Sequence, residues 1–135
     1  MLTIEAAPWR AMVEHAEGCY PEECCGILLG HEDSRTVTAA IACPNVHPGD
    51  RARRFLIDPP DLFAAIHRAR EENLKVLGFF HSHPDHDAGF SATDHESTWP
   101  WVSNVVLAVR GGKSAGAAAY RVEGAGTVVG EELVV

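Results

Sequence analysis

The stretch Lys75-Val76-Leu77-Gly78-Phe79-Phe80-His81-Ser82-His83 decides how the rest of the chain is read. Its first half is too short and too apolar for an exposed helix, and a polar loop follows it, so it reads as a strand. Side chains alternate along a strand, which sends His81 and His83 to the same face. At a strand end, two imidazoles so placed can take neighbouring coordination positions on one divalent cation. Zinc suits nitrogen donors, and a catalytic zinc site uses three protein ligands with a fourth position open. The third ligand would be another nitrogen or a nearby carboxylate. Asp94 is the candidate, one turn into a short helix starting near Ser91 that can fold back after the loop. Ser91-Ala92-Thr93-Asp94 also has the spacing of a capping box, in which Ser91 caps the helix and Asp94 reaches back to its first amide. Both readings of Asp94 stand on the sequence alone.

Working outward, residues 7–19 read as a helix, with Pro8 tolerated in the first turn, Trp9, Met12, Val13 and Ala16 at helical spacing and Gly18 near the stop. Cys25-Gly26-Ile27-Leu28-Leu29-Gly30 is a continuous apolar run of strand length, as expected of a strand buried on both faces. Arg35–Cys43 reads as a second strand and Arg53–Ile57 as a shorter third. A second helix opens with Asp58 as cap and Pro59 at the first helical position. Leu62, Phe63, Ile66 and Ala69 form its apolar face, and it ends near Glu72-Asn73. Downstream of the Ser91 turn, strands are expected near 104–110, 115–122 and 127–134. This order predicts an α/β domain spanning residues 1–135, a mixed sheet flanked by helices rather than a doubly wound one. No GxGxxG or GxxxxGK[ST] run is present, which removes support for nucleotide cradling by a glycine loop.

Composition narrows the function. The chain has 135 residues, 46% hydrophobic and 22% charged, enough to bury a core. Eleven Lys+Arg stand against 19 Asp+Glu, a formal net charge of −8. That balance lacks the electrostatic footprint of a general nucleic-acid or anionic-membrane binder. No apolar run approaches the roughly 20 residues of a membrane span, and Met1–Glu5 does not read as a signal peptide. Cys19, Cys24, Cys25 and Cys43 make no CxxC pair and read as small buried hydrophobes in a reduced, cytoplasmic protein.

His81-x-His83, then seven residues beginning with Pro84, then Ser91-x-x-Asp94, resembles the signature of the JAMM (MPN-type) zinc metallopeptidases. The family's remaining signature element is a glutamate far upstream in a Glu-x-x-Gly register. Within Pro21-Glu22-Glu23-Cys24-Cys25-Gly26 that register selects Glu23; Glu22 would be one residue out, pointing to the other face. The resemblance spans nearly the whole chain, including Arg53–Pro59 and Trp99-Pro100-Trp101. It implies the JAMM/MPN (cytidine-deaminase-like) fold, one catalytic Zn2+ on His81, His83 and Asp94, Glu23 as general base and Ser91 as the hydroxyl that stabilises the oxyanion. Small single-domain members of this type resemble peptidases of sulfur-carrier proteins. The implied partner is therefore a ubiquitin-like or sulfur-carrier protein engaged through its C-terminal Gly-Gly tail, with cysteine as one leaving group. Cleavage of Lys-linked ubiquitin-like conjugates is equally compatible with the five residues, and a non-catalytic interaction module is the alternative of a different class. A homodimer is compatible with the family.

His81-x-His83-x-Asp85-His86 also fits the HxHxDH string of metallo-β-lactamase-like hydrolases. Those enzymes need further histidines well downstream, and none follows His95. No Pro-Cys-x-x-Cys follows a His-x-Glu, which removes the zinc deaminases, and no HExxH is present. His86, His95, Asp85 and Asp87 read as a solvated loop rather than a second metal site, and His15, His31, His47 and His67 receive no role.

Overall fold

A computed structural model describes residues 1–96 and 98–135. The chain runs β1 (Leu2–Ile4), α1 (Ala6–Cys19), β2 (Cys25–His31), β3 (Thr36–Cys43), α2 (Pro59–Glu71), β4 (Lys75–Pro84), α3 (Ala92–Glu96), β5 (Ser103–Arg110), β6 (Lys113–Glu123), β7 (Thr127–Glu131) and β8 (Leu133–Val134). These strands form one mixed sheet in the order β7-β6-β5-β4-β2-β3-β1-β8. β4 sits at its centre, antiparallel to β2 and parallel to β5.

Burial of β2 on both faces follows from two helices on opposite sides. Met12 and Ala16 of α1 join a core with Cys24, Leu28, Phe80, Val105 and Leu107. Ala65 and Ala69 of α2 join Cys25, Ile27 and Leu29 on the other face. Strand alternation alone sorts Cys24 and Leu28 to one side and Cys25, Ile27 and Leu29 to the other. Each large apolar side chain so buried contributes roughly 1.5–3 kcal/mol. Gly78 lets β4 lie tightly against β5: a Cβ there would fall 1.9 Å from the Ser103 carbonyl oxygen.

Several expectations need correction. Phe63 is 69% exposed. The stripe of α2 that faces the sheet runs through Leu62, Ala65, Ile66 and Ala69, spaced three and four residues apart, and Phe63 lies about 100° away from it. Asp58 occupies the cap position of α2 but makes no side-chain cap bond. An N-cap side chain accepts from the second or third helical amide; here the second is Pro60, without an N–H, and the third, Asp61, donates to the Asp58 carbonyl at 2.9 Å. Arg53–Ile57 is not a strand. The amides of Arg53 and Arg54 turn back onto the Asp50 carbonyl, and only Ile57 forms a bridge, to Asn45. The three-residue β1 escapes sequence reading because its pairings, parallel to β3 and β8, are both tertiary.

The expected strand at 127–134 divides at Glu132 into β7 and β8, which lie on opposite edges of the sheet. The sheet therefore curls until its edges meet at the end of the chain. The Glu131 side chain, 4% exposed, holds this junction. It accepts from Ser103 Oγ at 2.6 Å and Arg35 Nη2 at 3.2 Å, and the N-terminal amine lies 3.7 Å away. No helix among the described residues is long and apolar enough to cross a membrane.

Candidate active site

The site forms where the end of β4 lies beside the start of β2. Cys25 pairs with His81; the Ser82 amide donates to the Cys24 carbonyl at 3.2 Å, and Ser82 Oγ accepts the Cys24 amide at 2.8 Å. Carrying that antiparallel register two residues beyond the Cys25–His81 pair sets Glu23 opposite His83. His81 and His83 share one face, as alternation predicts, and both are buried.

Beyond Pro84 the chain leaves the sheet and returns through α3, which delivers Asp94. The capping box forms: Asp94 N–H donates to Ser91 Oγ and Ser91 N–H to Asp94 Oδ2, each at 3.0 Å. The same carboxylate meets the imidazoles, with Oδ1 3.0 Å from His81 Nε2 and Oδ2 3.0 Å from His83 Nε2. The capping reading of Asp94 is met, and the geometry is compatible with a ligand role beside it, because a carboxylate has about four acceptor directions and Oδ2 can serve the amide while facing His83.

One donor atom from each of these three residues lies within 4.8 Å of the others, and the two Nε2 atoms are 3.2 Å apart. His83 Nδ1 sits 2.8 Å from the Asp87 carbonyl oxygen, which can only accept, so the ring proton is on Nδ1. Nε2 is the atom that faces Asp94: protonated, it donates to the carboxylate, and deprotonated, it offers a lone pair that a cation held among the three residues would take. Fixing the tautomer through the far nitrogen is the usual device of a metal-ligating histidine. Burial raises the Asp94 carboxyl, but hydrogen bonds from His81 and His83 outweigh it and hold the group well below the ordinary carboxylate range. Burial lowers His81, whereas at His83 the bonds to Asp94 and the Asp87 carbonyl outweigh burial and raise it.

Glu23 is 5% exposed, and its Oε1 has no hydrogen-bond partner among the described residues. A buried unsatisfied carboxylate oxygen is uncommon and marks a place where another group binds. Burial pushes its pKa from the ordinary 4.5 to about 8; His83 opposes the shift, and Asp94 and Asp50 reinforce it. The folded protein therefore holds this proton over a window where the unfolded chain has released it, and stability falls as pH rises from about 4.5 to about 8. Metal-free Glu23→Gln lacks this loss. Its stability advantage over metal-free wild type should grow between about pH 5 and about pH 9 in urea unfolding; a gap that stays constant with pH would show an ordinary carboxylate.

Ser91 lies on the rim of a cleft of about 360 Å³ that Glu23, Arg53, His83, Asp87 and Thr93 also line. Its Oγ accepts the Asp94 amide, leaving the O–H proton available to donate into the cleft. The structure thus brings together His81, His83 and Asp94, with Glu23 and Ser91 on the wall beside them.

Two participants were not read from the sequence. Phe55 stacks on His81, with ring centroids 4.6 Å apart and planes at 21°. It also lines an apolar groove of about 220 Å³ with Leu56, Ile57, Leu62, Phe79 and Trp99. Asn45 bonds the Glu23 carbonyl from Nδ2 at 3.0 Å. Reading Arg53–Ile57 as a strand concealed both; the signal available was an aromatic residue in a short stretch with no assigned partner.

The loop between the candidate ligands is exposed at Asp85, His86 and Asp87, as expected, and hydrogen bonds pin it at several points. Asp85 accepts Tyr20 O–H at 2.7 Å and Gly111 N–H at 2.9 Å, Tyr120 O–H donates to the Ala88 carbonyl at 2.7 Å, and His95 Nε2 lies 2.9 Å from the Gly126 carbonyl. Asp85 and His95 are therefore structural pins, while His86 is exposed. Cys24, Cys25 and Cys43 are buried as expected. Burial drives their thiol pKa values up, Cys24 to about 12 and Cys43 to about 11, which leaves them unreactive.

Residues 5–123 match the family described as prokaryotic homologs of the JAB domain. The chain is 40% identical over 88 residues to a desampylase of Haloferax volcanii, covering 64% of this chain and 63% of that protein. It is 36% identical over 80 residues to a probable TtuB-protein conjugate cleaving protease of Thermus thermophilus, covering 58% and 51%. These matches span about half to just under two thirds of the relatives' own length. Among solved structures, one from Desulfitobacterium hafniense superposes with a TM-score of 0.85 at 27% identity, covering 99% of this chain and 92% of that one. A JAB1/MPN domain protein from Archaeoglobus fulgidus, at 19% identity, shares the fold with a TM-score of 0.60 over 100% of both chains.

Proposed function

This chain belongs to the prokaryotic homologs of the JAB domain, and from that premise we propose that it is a zinc peptidase acting on the amide bond after the C-terminal Gly-Gly of a ubiquitin-like or sulfur-carrier protein. The observation that carries the reading is the convergence of His81, His83 and Asp94 beside a buried Glu23 oxygen that has no hydrogen-bond partner among the described residues. Two imidazole nitrogens and one carboxylate oxygen suit zinc with one position left open, and the Asp87 carbonyl supplies the supporting hydrogen bond such a site needs.

His81, His83 and Asp94 would hold the ion. Bound there, zinc would supply Lewis-acid chemistry, polarising the scissile carbonyl and acidifying a water towards neutral pH. Glu23 takes that water's proton at its carboxylate as the water oxygen bonds to the carbonyl carbon. It then returns the proton to the departing amine as the carbon–nitrogen bond breaks. Burial raises the proton affinity of this carboxyl, which favours its taking up the water's proton. The Ser91 hydroxyl donates to the carbonyl oxygen as negative charge develops on it.

The names of the two relatives support conjugate cleavage, while the resemblance to small sulfur-carrier peptidases supports release of cysteine. Intact-mass analysis separates these. Zinc-loaded protein is incubated with a Gly-Gly-ended sulfur carrier bearing a C-terminal cysteine and, separately, with a Lys-linked ubiquitin-like conjugate. Loss of one cysteine mass is the expected result. Cleavage of the Lys-linked conjugate alone would assign a general deconjugase, and no cleavage of either would overturn the peptidase reading.

A further inference from the structure

Asn45 spends its whole hydrogen-bonding capacity at one junction. Nδ2 donates to the carbonyls of Glu23 at 3.0 Å and Arg54 at 2.9 Å, and Oδ1 accepts the amides of His47 at 3.1 Å and Leu56 at 3.2 Å. A carboxamide has two donor hydrogens and two acceptor lone pairs, so nothing is left over. Its orientation is also fixed, since a flip would set donors against the amides of His47 and Leu56 and an acceptor against two carbonyls.

The segment it grips is also held by the amides of Arg53 and Arg54 on the Asp50 carbonyl and by packing of Phe55 and Ile57 on the core. Arg53–Ile57 joins no strand ladder; it is tied back by the Asn45–Ile57 bridge and by the Val46 amide donating to the Leu56 carbonyl at 3.0 Å. Yet this segment lays Phe55 on His81. At Glu23, Oε1 has no hydrogen bond among the described residues to aim it. What aims the carboxylate is the backbone, anchored by the Glu23 amide to the Arg51 carbonyl at 2.8 Å and by the Glu23 carbonyl to Asn45.

We propose that Asn45 is a positioning residue of this site: its side chain sets the backbone of Glu23 and the Phe55-bearing segment against the His81, His83 and Asp94 cluster. Its kinetic consequence rests on the peptidase reading; its structural consequence does not. Displacing a reacting group by about 1 Å can cost 10²-fold in rate. The three candidate ligands lie on β4 and α3, and none is hydrogen-bonded to Asn45, so metal binding changes less than turnover.

The test compares Asn45→Ala with Asn45→Asp by zinc titration, steady-state kinetics and residue-resolved amide hydrogen exchange. The aspartate keeps the two acceptor bonds and abolishes the two donor bonds. In both variants zinc affinity changes less than turnover, and kcat falls ~10–100-fold with KM changed less than about threefold. The Glu23 amide loses protection in both variants; the Leu56 amide loses it in Asn45→Ala and keeps it in Asn45→Asp, with central β4 amides unmoved. Uniform loss of protection throughout the sheet, or unchanged exchange at Glu23, would overturn the proposal. If wild type cleaves nothing, the peptidase reading falls and the exchange pattern still decides the role of Asn45.

Discussion

If the proposed peptidase reading holds, Glu23→Gln is expected to bind zinc as wild type would and to hydrolyse substrate on the order of 10²–10⁴ times more slowly, the usual contribution of a positioned general base. The substitution keeps size and shape and leaves the backbone anchors at Arg51 and Asn45 in place. It removes only the ability to take up a proton near neutral pH. The ligands stay intact because they sit on β4 and α3. A neutral amide also escapes the cost of ionising in a buried place, so stability at alkaline pH should move up while turnover moves down. Opposite changes in the two quantities set a catalytic carboxylate apart from a structural one. Metal content by mass spectrometry beside single-turnover cleavage is the measurement; wild-type turnover in the variant would remove Glu23 from the chemistry.

Asp94→Asn lowers zinc affinity by more than the ~10–100-fold that typically follows loss of a supporting residue one shell further out. Asp94 is the sole anionic member of the ligand cluster, and both imidazoles close on its two oxygens at 3.0 Å. An amide oxygen can still accept the Ser91 amide, so the capping interaction persists and α3 keeps its place. Loss of affinity without loss of helix or sheet signal in circular dichroism is therefore expected. Competition against a chromophoric chelator reads the affinity, and an unchanged dissociation constant would take Asp94 out of the ligand set.

Much of the site was legible because it depends on local geometry. His81 and His83 share a face by the two-residue period of a strand, and Ser91 and Asp94 meet across one helical turn, whatever the remainder of the fold. The family register could then choose Glu23 over Glu22, since neighbouring residues of an extended segment face opposite ways. The same local rules found β2, with its continuous apolar run, and α1, with Met12 and Ala16 on the buried stripe. They failed where the outcome was set by partners distant in sequence. Arg53–Ile57 has strand-like composition but meets Asn45 and His81 rather than a neighbouring ladder. Phe63 looks apolar in a helical count and still points to solvent.

The sequence by itself put His81 and His83 on one face of a strand and Ser91 and Asp94 on one helical turn, because strand and helix periods are properties of the backbone, and the family resemblance added Glu23. Only the tertiary structure decided that Glu23 lies opposite His83, some sixty residues away in the chain, since that rests on the register of β2 against β4. It alone placed Phe55 over His81 and made Asn45 the junction between the base and the wall of the site. These contacts join segments with no local pattern in common, held by the complementarity of single hydrogen bonds and one ring face, and no periodicity in the chain encodes them.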